Sequence, residues 1–163
     1  MWQSKLGFMT RIELIVDQLN RALDGEAWHG PALMEVLDGV DPKTAAAHPL
    51  ADAHSIWQLV LHVAAWERVI IQRINGRVAT LNDEQNFPQP AEINEQAWKH
   101  ALQTLRGTHS ELVQSVSKLT ESRLEDIAPG KDYDLEFMLH GAAQHAAYHG
   151  GQIALLKKAA TWR

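Results

Sequence analysis

No cysteine occurs among the 163 residues. That absence removes disulfides, thiolate metal ligands and a cysteine nucleophile, so any bound ion must be held by nitrogen or oxygen. It also fits a reducing compartment, and a cytoplasmic location is the expectation. Long apolar runs are missing as well: no stretch approaches the roughly eighteen residues of a membrane span. The opening MWQSKLGFMTRIELIV lacks the basic region and continuous apolar core of a signal peptide. An excess of positive charge is missing too, with 15 basic residues against 20 acidic and a net charge of −5. The short basic pair Lys157 and Lys158 closes a predicted helix, where cations suit the negative end of the dipole. Nucleic-acid binding therefore has no electrostatic support, and no membrane partner is expected.

What is present is a globular composition, 45% apolar, with ten glycines and six prolines. A single domain over residues 1–163 is expected, large enough to bury a core without disulfides or a structural metal. Apolar residues recur at helical spacing in four long segments, and no segment alternates as a strand does. Ile12, Ile15, Val16, Leu19 and Leu23 mark a first helix over residues 11–24, stopped at Gly25. Two short connectors follow. Leu33, Val36 and Leu37 lie on one face after Pro31, which suits a first helical position; Asp41 and Pro42 then open a single turn that Pro49 closes.

Ser55 and Gln58 make a capping box, from which a second long helix runs to Gly76 without a breaker. It is apolar almost all round and should lie deep. Residues 77–90 are polar and carry two prolines, which predicts a loop across one end of the molecule. A third helix is expected over 91–119, bent at Gly107, and a fourth from a cap at Asp132 or Asp134 to Lys158. The fold class is all-α: a four-helix bundle with short connecting helices between the first and second long helices.

Histidine is abundant, at nine residues, three of them in HGAAQHAAYH from His140 to His149. Residues four apart on a helix lie about 40° apart around its axis, so His145 and His149 project side by side. Their rows also carry Leu135, Met138, Ala142, Ile153 and Leu156, which turns both rings inward. His140, about 140° away, stays outside the pair. Two imidazoles in an apolar interior repel when charged and need partners when neutral, a cost that a divalent cation removes. His62, the other histidine placed mid-helix in an apolar setting, is the candidate third ligand. Three neutral histidines leave coordination positions open, as in catalytic zinc, nickel or iron sites. Water there becomes acidic and attacks an electrophile, or a substrate thiol binds as thiolate; the spacing does not choose between them. No carboxylate lies at a spacing that must bring it to the ion, since Glu67 is about 140° from His62 on its helix.

Taken together, HSIWQLVLHVAAWERV, LHGAAQHAAYHGGQIALLKK and GEAWHGP resemble the DinB-like superfamily of metal-dependent four-helix bundles, over residues 11–158. The resemblance implies a metal held by one histidine of the second long helix and a pair on the fourth, here His62, His145 and His149. It implies zinc or nickel first and iron next, a small-molecule substrate, and a homodimer. The activities it implies are thiol-S-transfer with a low-molecular-weight thiol such as bacillithiol, isomerisation with mycothiol, or metal-dependent hydrolysis. The chain departs from the pattern at Ala146, where relatives often carry a polar residue, so no supporting hydrogen bond is expected from that position. Residues 1–8 lie outside the resemblance, and Met9 is a candidate natural start.

Around this site His29, Trp66 and Tyr148 are candidate pocket residues, each with an ordinary alternative. His29 walls the pocket or packs the connector, and Trp28 is expected to pack over the bundle end. Trp66 lines the cavity or belongs to the core. Tyr148 donates a proton near the ion or bonds to a neighbouring helix. His54 is expected to bond a free amide at the helix start or to meet solvent. His48, His100 and His109 are placed on loops or on the solvent side of the third helix and receive no role. A substrate cleft is expected where the loops flanking the second long helix meet the ligand end. The rival readings are a non-catalytic metal-binding bundle acting through a partner, its ion fully ligated, and a metal-free bundle. A di-iron carboxylate bundle would need ExxH on two helices, and only Glu26 with His29 offers one.

Overall fold

Residues 9–161 are described in a computed structural model of the chain. Residues 1–8, read above as an extension, lie outside them. Among the described residues there are seven α-helices and one 3-10 turn, and the only strand-like feature is an isolated bridge between Ile127 and Asp134. Four helices are long: α1 (Arg11–Leu23), α4 (Ile56–Ile74), α6 (Glu95–Ser117) and α7 (Leu135–Thr161). The short helices α2 (Leu33–Leu37) and α3 (Pro42–Ala46) connect α1 to α4, and α5 (Asp83–Asn86) is a single turn between α4 and α6.

Local chemistry sets these starts. Thr10 with Glu13, Ser55 with Gln58 and Asn82 with Gln85 form reciprocal capping boxes on α1, α4 and α5. Asp134 accepts from the Phe137 amide and opens α7. Four elements differ from the sequence reading. The helix expected from residue 91 begins at Glu95, because Asn94 supplies its cap by accepting from the Ala97 amide. Helix α2 begins at Leu33 rather than at Pro31, closed by the Glu35 carboxylate on the Ala32 amide. The segment 77–90 is not all loop: α5 forms inside it, and the 3-10 turn Glu121–Glu125 precedes α7.

Helix α4 packs against α6 and α7, and α1 against α7 and α6. The apolar interior falls into two clusters. One, around Trp57, Leu105, Leu33 and Ile153, fills the end nearest α2 and α3; the other, around Ile15, Leu112, Leu124 and Leu139, fills the opposite end. Membership changes between Ala64 and Ile70 on α4 and between Ala146 and Ile153 on α7. On α7 the break contains His149, and on α4 it begins just after His62.

Two expectations are corrected. Trp28 packs on nothing: its side chain is fully exposed in the turn between α1 and α2. His109 is buried, not on the solvent side of α6, because it lies four residues after Leu105 and three before Leu112, on the same buried row. Its Nδ1 is 2.8 Å from Glu67 Oε1 across the α4–α6 contact. No helix among the described residues is long and apolar enough to cross a membrane.

Candidate metal centre

Helix α4 points His62 into the bundle, and α7 brings His145 and His149 to meet it. One ring nitrogen of each lies within 4.8 Å of the other two, and among the described residues no other trio of potential ligands does this. His145 Nε2 stands 3.0 Å from His62 Nε2 and 3.0 Å from His149 Nε2. His62 and His149 are buried and His145 is half-buried.

The outer nitrogens of two rings are already engaged. His62 Nδ1 lies 2.6 Å from the carbonyl oxygen of Asn86, the last residue of α5, where helical carbonyls lack intrahelical donors. A carbonyl only accepts, so the His62 proton is on Nδ1 and Nε2 presents a lone pair. His149 Nδ1 lies 2.6 Å from Gln152 Oε1, whose amide nitrogen donates to Tyr148 Oη at 3.1 Å, so His149 Nε2 also presents a lone pair. A single proton on His145 Nε2 can satisfy one of these two acceptors, which leaves the other lone pair without a donor. A cation at the point of convergence removes the conflict, and separations near 3 Å suit nitrogens about 2.0–2.1 Å from one ion. The donor set therefore fits a divalent metal.

Electrostatics agree with neutral ligands. Burial, then the Asn86 bond in opposition and then His149, leave His62 with its pKa down at about 4. Burial, followed by repulsion from His149 and His62, brings His145 down to about 3. Burial lowers His149 as well, against the opposing bond from Gln152. All three are unprotonated at neutral pH, as ligation requires.

A cavity of about 440 Å³ opens beside this cluster, between α4 and α7. That size suits a small molecule. His62 and His145 stand at its margin, with Trp66, Phe87 and Phe137 among its aromatic walls. Phe87 stacks on His62 at 4.1 Å between ring centroids, and His54 stacks on Phe87 at 3.6 Å. Asn86 Oδ1 accepts from Trp66 Nε1 at 2.8 Å, so one residue of α5 fixes both a histidine ring and a wall of the cavity. The cavity is bounded by the segment after α4 and runs along the helices, whereas the sequence reading placed a cleft between the loops on both sides of α4.

Of the candidate pocket residues, Trp66 lines this cavity while His29 and Tyr148 do not. His29 is exposed in the turn after Trp28, and Glu26 beside it is exposed too, so neither approaches the three histidines as a carboxylate bundle would need. Tyr148 is exposed and holds Gln152, its own helix neighbour, rather than the ion position or another helix. His54 is exposed to solvent, the second of its two expected settings, and stacks on Phe87. The sequence reading missed Asn86 and Gln152. Gln152 was within reach, three residues after His149 on the same helix; Asn86 acts through its backbone, which no residue type announces.

The family model described as the DinB superfamily matches residues 27–153, most of the chain and all three histidines. No curated protein and no solved structure matches.

Proposed function

Since the chain belongs to the DinB superfamily, we propose that it is a metal-dependent enzyme acting on a small electrophile, with one divalent cation held by His62, His145 and His149. The observation that carries this reading is the convergence of Nε2 atoms whose tautomers are set by Asn86 and Gln152 at the mouth of an aromatic cavity. When bound, such a cation supplies Lewis acidity that favours the anionic form of a thiol or a water in the open position, for S-transfer or hydrolysis.

The chain's own residues account for the rest. Asn86 and Gln152 hold the Nδ1 protons outward and keep the rings aimed at one point. The depressed histidine pKa values keep the ligands free of protons well below neutrality. Trp66 and Phe87 pack beside His62 and, with Phe137, offer faces to an apolar substrate. Among the described residues no carboxylate lines the cavity to act as general base, which favours a thiol, acidic enough to need little help, over water. Zinc or nickel is the first choice of metal, and supply in the cell decides between them.

The test is elemental analysis of untagged protein beside His62→Ala and His145→Ala, followed by assays of thiol addition to 1-chloro-2,4-dinitrobenzene and of 4-nitrophenyl acetate hydrolysis. About one equivalent of metal in the parent, little in the variants and a metal-dependent rate support the enzyme. A parent that takes up no zinc, nickel or iron on incubation removes it.

A further inference from the structure

Arg73 lies eleven residues after His62 on α4, about 16 Å along the axis and about 20° around it, so both belong to one row. Trp66 and Ile70 occupy the same row between them, and all four line the cavity. Arg73 is only 2% exposed, and among the described residues no carboxylate pairs with it. One guanidinium nitrogen donates to the Ala79 carbonyl at 2.8 Å and another to Tyr133 Oη at 3.3 Å, while Nε has no partner. The Trp66 ring lies 5.9 Å from the guanidinium carbon. Burying an unpaired cation is costly, and proteins ordinarily supply a counter-charge. Here none is supplied, although the cavity beside it is large enough to admit one.

Tyr133 strengthens the case. Its oxygen accepts from Arg73, which leaves its own hydroxyl proton free to donate, and Tyr133 also lines the cavity. Among the described residues the cavity lining includes no Asp or Glu, so no carboxylate in it offsets the positive charge of Arg73.

We infer that Arg73 and Tyr133 form an anion-binding subsite at the far end of the cavity, and that the substrate is an elongated small organic acid. Its carboxylate docks at Arg73, its apolar body lies along Trp66 and Phe137, and its reactive group reaches the three histidines. A planar guanidinium and a planar carboxylate are matched donors and acceptors. The position of the reactive group rests on the metal-dependent reading above; the anion subsite rests on Arg73 and Tyr133 alone.

The experiment is calorimetric titration of the cobalt-loaded full chain with matched probes: 6-mercaptohexanoate against 6-mercaptohexanol, and 8-mercaptooctanoate against 8-mercaptooctanol. Wild type, Arg73→Met and Tyr133→Phe are compared, and the thiolate-to-cobalt absorption band is followed throughout. In at least one pair the acid binds wild type about tenfold tighter than the alcohol, the worth of one charge-assisted hydrogen bond. Tyr133→Phe reduces that ratio and Arg73→Met brings it to about one. A wild-type ratio near one in both pairs overturns the inference, as does a ratio that survives Arg73→Met. If Arg73→Met does not fold, Tyr133→Phe and the probe pairs decide. Octanoate against octanol on metal-free protein reads the subsite by itself. Preference for octanoate with no cobalt band from any thiol keeps the subsite and sinks the metal reading, while a band from every thiol with no preference for acids does the reverse.

Discussion

Replacing His109 by Leu should be among the most damaging single changes outside the candidate metal centre. His109 and Glu67 face each other across α4 and α6 at 2.8 Å, with each side chain only 7% exposed, and Glu67 Oε2 and His109 Nε2 have no other partner. Removing one member of such a pair strands the other, which costs about 3–5 kcal/mol. For a chain of this length 1 kcal/mol moves the melting temperature by roughly 2–4 °C, so a fall of roughly 6–20 °C is expected. Replacing both by Leu removes the stranded group, and the double variant should return to within about 1 kcal/mol of the parent.

The pH dependence of His109→Leu follows with a definite sign. Burial already holds the Glu67 carboxyl above its ordinary value of 4.5, opposed by the bond to His109, and losing that bond pushes it higher. A carboxyl that binds its proton more tightly folded than unfolded stabilises the protein at low pH and loses that contribution as pH rises from 4.5 through the folded value. The penalty of His109→Leu should therefore shrink as pH is lowered from neutrality, by up to about 1.4 kcal/mol per unit. Urea denaturation followed by circular dichroism, at neutral and mildly acid pH, measures all of this. A single variant that loses less than about 1 kcal/mol, or a double variant as unstable as the single, refutes the reasoning.

Gln152→Leu takes away the acceptor that holds the His149 tautomer, and competition with a chelator should show metal affinity falling about 10–100-fold with the fold intact. In the metal-free protein, His62 and His145 stay neutral down to about 4 and about 3, while their unfolded counterparts take up protons from 6.5 downward. Stability is thus fully present above 6.5 and is lost as pH falls through that window, and a melting temperature that stays flat across it would count against buried neutral rings. Gly107 is helical with open space where a Cβ would stand, so Gly107→Ala should raise stability by about 0.5–1 kcal/mol in thermal melts. Arg73→Met removes a buried cation with no carboxylate beside it, and the ligand-free variant should melt no lower than the parent; a clear drop would mean that the bonds to Ala79 and Tyr133 outweigh the buried charge.

The bundle was legible because its helix starts are written in side chains: Ser55 with Gln58 could be read directly, and four apolar stripes left little choice of fold. The histidine pair on α7 was legible for a related reason, since an i, i+4 pair on an apolar row must project together, and His62 joined it as the other mid-helix histidine in an apolar setting and through the family resemblance. What escaped was of two kinds. Helix α5 is one turn long, too short to show a period, and its contribution is the Asn86 carbonyl, which any residue type could offer. His109 escaped for the opposite reason, because its polarity was weighed above its place between Leu105 and Leu112. The exposure of Trp28 shows the same error reversed: a large aromatic was assumed to pack, although nothing in GEAWHGP brings a surface to meet it.

Helix α4 carries three buried ionisable groups, and their partners separate their roles. Glu67 has a side-chain partner on α6, although its Oε2 has none, and its loss should register as stability. His62 has one nitrogen satisfied by Asn86, while the other competes with His149 Nε2 for whatever proton His145 Nε2 carries. Arg73 has a carbonyl and a phenol but no counter-charge. Sequence spacing puts His62 and Arg73 on one row and Glu67 well away from His62, with about 140° between them. His62 and Arg73 therefore open on the same cavity, and Glu67 faces His109 on α6. That placement is what the two proposals together require, a metal at one end of the pocket and an anion held by Arg73 at the other.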